Sequence, residues 1–149
     1  MNSNLETFKD YFKEVSLKHI NVNTFQVGSN YNIAEDNSIE YPVVFLELPY
    51  TVNYNFTGKK DELQFSFDVF IQSSPDSIKA DHKAISDAKE IGDAILNYIY
   101  NDPDSPIAIQ SSNAISLREF SDDNVSGMRY DLVTLFISSS NCDYTEMFS

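Results

Sequence analysis

From Val44 to Phe56 every second residue is apolar or aromatic: Val44, Leu46, Leu48, Tyr50, Val52, Tyr54 and Phe56. After Thr57-Gly58-Lys59-Lys60-Asp61 the alternation resumes with Leu63, Phe65, Phe67, Val69 and Ile71, separated by Glu62, Gln64, Ser66 and Asp68 among others. Successive side chains of a strand point to opposite faces, so a period of two over this length means β-structure. Two such runs joined by a short polar turn with a glycine form a β-hairpin. The stretch from Tyr41 to Ile71 therefore predicts one hairpin whose limbs can exceed the usual ~5–6 residues of a strand. It either crosses a whole domain or projects beyond it. Pro49 interrupts the first limb. Proline has no N–H to give a ladder, so the limb is an edge there or carries a bulge. Exposed edges pair with other chains.

A helix precedes the hairpin. Leu5, Phe8, Phe12 and Val15 recur at three and four residues, with Lys9, Asp10, Lys13 and Glu14 on the other side. Ser3 and Glu6 have the capping-box spacing, and the helix ends near Lys18. Asn21–Val27 alternates weakly and reads as a short strand. Gly28-Ser29-Asn30 reads as a turn, and residues 33–39 as an exposed loop. A second helix follows cap candidates in Ser73-Ser74-Pro75-Asp76-Ser77. Ile85, Ala88, Gly92, Ile95 and Ile99 share one face, widened by Ala84, Ile91 and Leu96. Asp81, Lys83, Asp87, Lys89, Glu90 and Asp93 lie mostly on the other. Gly92 costs a helix about 1 kcal/mol against alanine, and close approach to a sheet would compensate. Asn101-Asp102-Pro103 ends this helix.

Ile107-Ala108-Ile109 reads as one short strand, and Ile115 with Leu117 as another. Ser121–Gly127 reads as a polar loop. The last strand carries Met128, Tyr130, Leu132, Thr134 and Phe136 on one face and Val133, Leu135 and Ile137 on the other. With both faces apolar it reads as central and covered on both sides. Phe70-Ile71-Gln72-Ser73-Ser74 echoes Phe136-Ile137-Ser138-Ser139-Ser140, as in a doubled helix–strand–strand unit. The fold class expected is α+β: helix, long β-hairpin, helix, β-hairpin, in a mostly antiparallel sheet with the helices on one face. The 149 residues form a single domain, with residues 139–149 a flexible tail.

Charge narrows the function. With 23 acidic residues against 10 basic ones the formal net charge is −13. Nucleic-acid affinity comes from lysines and arginines that neutralise phosphates, so direct binding to DNA or RNA is disfavoured. Anionic membranes are disfavoured for the same reason. The plain consequence is solubility; the sharper one is a surface or channel to which polyanions do not adhere. Cys142 is a lone cysteine, which excludes an internal disulfide framework. Neither a secretory signal nor the ~20 apolar residues of a membrane span is visible, so the chain is expected to be made in the cytosol.

Site chemistry is sparse. His19 and His82 have no partner at metal-ligand spacing. Asp81 adjoins His82, but neighbours on a helix point different ways. Cys142 has no base near it in sequence. Asp122-Asp123-Asn124 has oxygen ligands for calcium without the EF-hand glycine and glutamate, and a plain turn explains it. Gly28, Gly58, Gly92 and Gly127 are scattered, so no phosphate-cradling loop forms. No catalytic residue, cofactor or metal site is expected.

Association has better candidates. Tyr50, Tyr54 and Phe56 run toward the hairpin tip, which a domain of this size can hardly cover in full. Aromatics on an exposed tip suit an interface, and local packing is the alternative. Pro49, Tyr50, Tyr54, Phe56, Lys59 and Lys60 are the interface candidates. Tyr144, Met147 and Phe148 in the tail either dock on a neighbour or fray.

The order of Leu5–Lys18, Tyr41–Ser73, Ile78–Tyr100 and Ile115–Ser138 resembles that of the tail-terminator and tail-completion proteins of tailed bacteriophages. The resemblance is one of element order, most of the chain long, and not of a sequence motif. It implies an α+β subunit of a homo-oligomeric ring, often a hexamer, that caps the tail tube and joins it to the neck or connector. Partners would be further copies, tail-tube and neck proteins, and DNA passing through an acidic lumen without specific binding. The location would be the virion, after assembly in the host bacterial cytoplasm. No catalytic residues carry over. The segment 20–39 departs from the pattern. The competing class is a small α+β ligand-binding module or enzyme with a pocket between the sheet and the second helix, for which no cluster of polar groups is evident.

Overall fold

Hydrophobic spacing sets two helices against a sheet in the computed structural model, which describes residues 4–28, 39–72, 78–117 and 125–137. The elements are α1 (Asn4–Lys18), β1 (Thr24–Gly28), β2 (Val43–Glu47), β3 (Thr51–Asn53), β4 (Lys60–Gln72), α2 (Ile78–Asn101), β5 (Ile107–Leu117) and β6 (Val125–Ile137). The sheet order is β1-β2-β4-β6-β5, and β3 pairs β4 off that path. β1 runs parallel to β2; every other pairing is antiparallel. The α+β class holds, and the element order roughly matches the expected helix–hairpin–helix–hairpin, with β1 added before the first hairpin.

One sheet face carries the main core. Phe8, Phe12 and Val15 of α1 are buried as their spacing requires. Phe8 meets Phe65 at 4.6 Å between ring centroids, and Phe12 meets Phe67 at 5.0 Å. From α2, Ala84, Ala88, Ile91, Ile95 and Ile99 are buried, while Ile85 and Leu96 flank them half-buried. The helices run antiparallel. Tyr11 donates to Asp102 Oδ2 at 2.6 Å, and Lys18 Nζ to the Tyr98 hydroxyl at 3.2 Å. No helix of the described residues is long and apolar enough to cross a membrane.

The structure corrects several expectations. The first hairpin limb is two strands, β2 and β3. Leu46 faces Phe67 and Thr51 faces Gln64, so four residues (47–50) lie opposite two (65 and 66). A shift of two keeps every side chain on its face. Val44, Leu46 and Val52 therefore all point to the main core while Leu48 is exposed. The Leu48–Pro49 bond in the break is cis, as is Tyr41–Pro42. Ile107–Ile109 and Ile115–Leu117 belong to one strand, β5, with a bulge between Ile109 and Ser111. β6 begins at Val125, so Val125, Ser126 and Gly127 lie in buried sheet and not in a loop.

β6 is central, between β4 and β5, but it is not covered on both sides, since Val133 and Leu135 are only half-buried. The outer face has its own small apolar cluster at one end, Val43, Phe45, Phe70 and Val125, with Ile39, Tyr41 and Leu117 against it. Ile39 is thus part of that packing and not of an exposed loop. Phe70 belongs to this outer cluster and Phe136 to the main core, so the echoed pentapeptides begin on opposite sheet faces. Asp81 is buried, accepting a hydrogen bond from Ser126 Oγ at 3.3 Å, and is not on the solvent face of α2. Ser3, Ser73–Ser77, Asp122–Asn124 and the tail with Cys142, Tyr144, Met147 and Phe148 lie outside the described residues.

Candidate functional site

The hairpin tip is built by one asparagine. Asn55 Oδ1 accepts from Thr57 N at 3.2 Å, Thr57 Oγ1 at 3.1 Å and Gly58 N at 3.0 Å. Such an Asx turn fixes a loop through side-chain hydrogen bonds to its own backbone. Asn55 N in turn donates to Asp61 Oδ1 at 2.8 Å, and Asn53 and Gln64 both donate to Glu62 Oε1, at 2.8 and 2.7 Å. These two bonds hold the Glu62 carboxyl below its usual range. The tip is therefore tied to the end of the β3–β4 pair.

On this support Tyr54 and Phe56 stand in solvent, 60% and 81% exposed, with ring centroids 6.1 Å apart and planes 20° from parallel. Lys59 and Lys60 are exposed beside them. Pro49 is exposed in the break between β2 and β3. Tyr50 is set apart from the other candidates. Its ring packs edge-on against Phe8 at 5.7 Å and borders the main core, and burial raises its hydroxyl pKa.

The outer sheet face brings together charged residues that the sequence pattern did not single out. Asp68 on β4 is the cross-strand partner of Arg129 on β6 and of Phe45 on β2. Arg129 Nε lies 3.3 Å from Glu47 Oε2 and 3.3 Å from Asp131 Oδ1, and Ser66 Oγ donates to Asp131 Oδ1. Asp68 is wholly buried, and neither of its oxygens accepts a hydrogen bond from a described residue. Burial first, and the Glu47 charge second, push its pKa up to about 8. Burial raises Glu47 as well, against the pull of Arg129. Burial and the neighbouring Glu47 charge both favour the protonated form of Asp68, because two adjacent buried carboxylates cannot both ionise cheaply. The sign of this cluster was present in the sequence: Ser66 and Asp68 on one strand and Arg129 and Asp131 on another occupy alternate positions of runs otherwise apolar. Only the β4–β6 register places them opposite one another.

Next to the cluster the open face forms a trough of about 420 Å³. Gln64, Ser66, Asp131 and Val133 line its floor; Pro49 and Thr51 flank it on one side, Ser112 and Asn113 of β5 on the other. Beyond it β5 is exposed at every position from Gln110 to Ser116, and none of these residues is charged. A second hollow of about 510 Å³ lies between the end of α1 and α2, lined by His19, Asn21, Asn23, Asp87 and Glu90 among others. His19 Nδ1 accepts from Asn21 N there at 3.1 Å. The hollow borders α2 and reaches the sheet only at Ile71 of β4, whereas the competing binding-module class expected a pocket between the sheet and this helix. Asp81 is buried while His82 is exposed, so the two diverge. Among the described residues no group of three or more His, Cys, Asp or Glu is arranged to hold a metal ion.

No protein-family model matches the chain, and no curated protein matches it either.

Proposed function

We propose that this chain is a structural subunit of a ring in the virion of a tailed bacteriophage, at the tail tube or neck, assembled in the host cytoplasm. The observation that carries the reading is the stacked Tyr54–Phe56 pair, exposed on a tip held rigid by Asn55 and Glu62. Large apolar rings held out in water gain by being covered, and a preformed tip loses little conformational entropy on docking. Two features add support. The β5 edge from Gln110 to Ser116 has neither the charge nor the proline with which sheet edges are blunted against pairing. The charge of −13 suits a lumen through which DNA slides without adhering.

The test is particle mass by light scattering after size exclusion, over a concentration series and with added tail-tube protein. A discrete ring-sized species, formed alone or on that addition, is the expected result. A strict monomer indifferent to both sinks the reading. The second reading, a ligand-binding module, has the hollow between α1 and α2 in its favour, and a strict monomer would make that hollow the place to screen.

A further inference from the structure

We infer that the hairpin tip of one copy docks in the trough on the open sheet face of the next, with Lys59 and Lys60 against Asp131. The inference rests on the ring reading and names the surface that receives the tip.

Charge is the first argument. Residues 54–61 hold two exposed lysines and one acid, Asp61, which is buried beneath the tip, so the local charge is +1 on a chain of −13 and its exposed part is basic. Such a tip is attracted to nearly any surface of a second copy and repelled by another tip. The trough offers a specific counter-charge. Asp131 lies on its floor, and its side chain keeps 47% of its surface exposed despite the bonds to Ser66 and Arg129.

Chemistry is the second. Pro49 and Val133 give apolar surface for the two rings, and Gln64 and Asn113 give hydrogen-bonding partners for the Tyr54 hydroxyl. The flanking β5 stretch is exposed and uncharged, so a neighbour can lie along it without stranding a charge.

Geometry is the third. The bonds of Asn53, Asn55 and Gln64 to Glu62 and Asp61 tie the tip to the start of β4. At ~3.3 Å per residue Ser66 lies about 20 Å back along that strand from Lys60. A copy therefore cannot seat its own tip in its own trough. The contact joins two different surfaces of two copies, the heterologous kind that closes into a ring where the rotation allows.

Cross-linking tests the contact. Two full-length preparations are made with Cys142→Ser, one also carrying Phe56→Cys and the other Asn113→Cys, and are mixed under mild oxidation. The expected result is a disulfide-linked dimer in the mixture and in neither preparation alone. A companion variant, Asn113→Lys, sits at an exposed position and sets a positive charge against the incoming lysines. It should weaken association at least tenfold, and Lys59→Glu with Lys60→Glu in the same chain should restore it. If the protein assembles but gives no mixed cross-link and ignores Asn113→Lys, the tip docks elsewhere and this inference fails while the ring reading stands. A cross-link between two Phe56→Cys tips overturns it as well. If the wild-type chain assembles neither alone nor with tail-tube protein, the ring reading falls and takes this inference with it.

Discussion

Tyr130 on β6 occupies the space that any side chain at Gly92 on α2 would need. A Cβ at position 92 would collide with the Tyr130 ring at Cε2, Cζ and the hydroxyl. The ring is fixed from both sides. It stacks on Phe67 at 4.8 Å with planes 6° apart, and its hydroxyl lies 3.1 Å from both the Lys89 carbonyl and Asp93 Oδ1. Burial, and next the Asp93 charge, raise its pKa, so the hydroxyl keeps the proton it donates. The glycine is how a helix comes close enough to a tyrosine for that bond to reach its own backbone.

Gly92→Ala should therefore destabilise the fold although alanine is the better helix former. The propensity gain is at most about 1 kcal/mol, and overpacking a fixed ring costs about 1–3 kcal/mol. With the ring held on both sides the cost falls at the upper end of that range, and we expect a net loss of up to about 2 kcal/mol in urea unfolding. The sign should reverse in a Tyr130→Leu background, where the ring is gone and only propensity remains. A loss of equal size in both backgrounds would show that the collision is not the cause.

Periodicity made the inner face legible, because burial on that face is a local property of each element. Phe8 and Phe12 on α1, Ile95 and Ile99 on α2, and Phe65 and Phe67 on β4 are all where their spacing puts them. What could not be read depends on which strands meet. The two-residue offset that splits β2 from β3 follows from pairing with β4, and so does the meeting of Asp68 with Arg129. The parallel pairing of β1 with β2 is likewise a matter of topology. In β5, Gln110–Ser116 is so polar that two short strands seemed to flank a gap; the ladder with β6 runs through it because backbone bonds do not need apolar side chains. As for the candidate site, the exposed aromatic tip was legible as a surplus of rings over available core, whereas the trough on the open sheet face was not.

Asp68 should make the protein less stable as pH rises. Its folded pKa, about 8, lies above the ordinary carboxyl value of 3.8. Between those two values the folded state binds more protons than the unfolded state, so stability declines across that window and levels off above it. Glu47, Arg129 and Asp131 face the group, and burial of Glu47 shifts it in the same direction. Asp68→Asn mimics the protonated acid at every pH. It should flatten the decline between about pH 5 and 8 and leave the variant about 1–3 kcal/mol more stable than wild type at pH 8. Urea melts at both pH values decide the matter, and parallel slopes for the two proteins would refute the assignment.

Asn55→Ala should loosen the tip without unfolding the domain. The substitution removes the acceptor for Thr57 N and Gly58 N. At about 1 kcal/mol for exposed bonds of this kind, the tip should open roughly fivefold more often. Amide exchange at Thr57 and Gly58 should accelerate by that factor while Phe67 and Tyr130 keep wild-type protection. Faster exchange across β4 and β6 as well would mean that the tip is part of the global folding unit.

Tyr50 and the pair Tyr54 and Phe56 should behave oppositely, although all three alternate along one limb. Tyr54→Asp with Phe56→Asp removes rings that touch mainly each other and water. The unfolding free energy should stay within about 0.5 kcal/mol of wild type, as for surface positions generally. Association should be lost, since the change turns the tip's charge from +1 to −1 and removes its apolar surface. Tyr50→Asp instead sets a carboxylate against Phe8 at the edge of the main core. It should cost about 2–4 kcal/mol. Thermal melts and light scattering on the same samples separate the two effects. A double variant that unfolds would make Tyr54 and Phe56 core residues. One that stays folded and still assembles would take the tip out of the interface altogether.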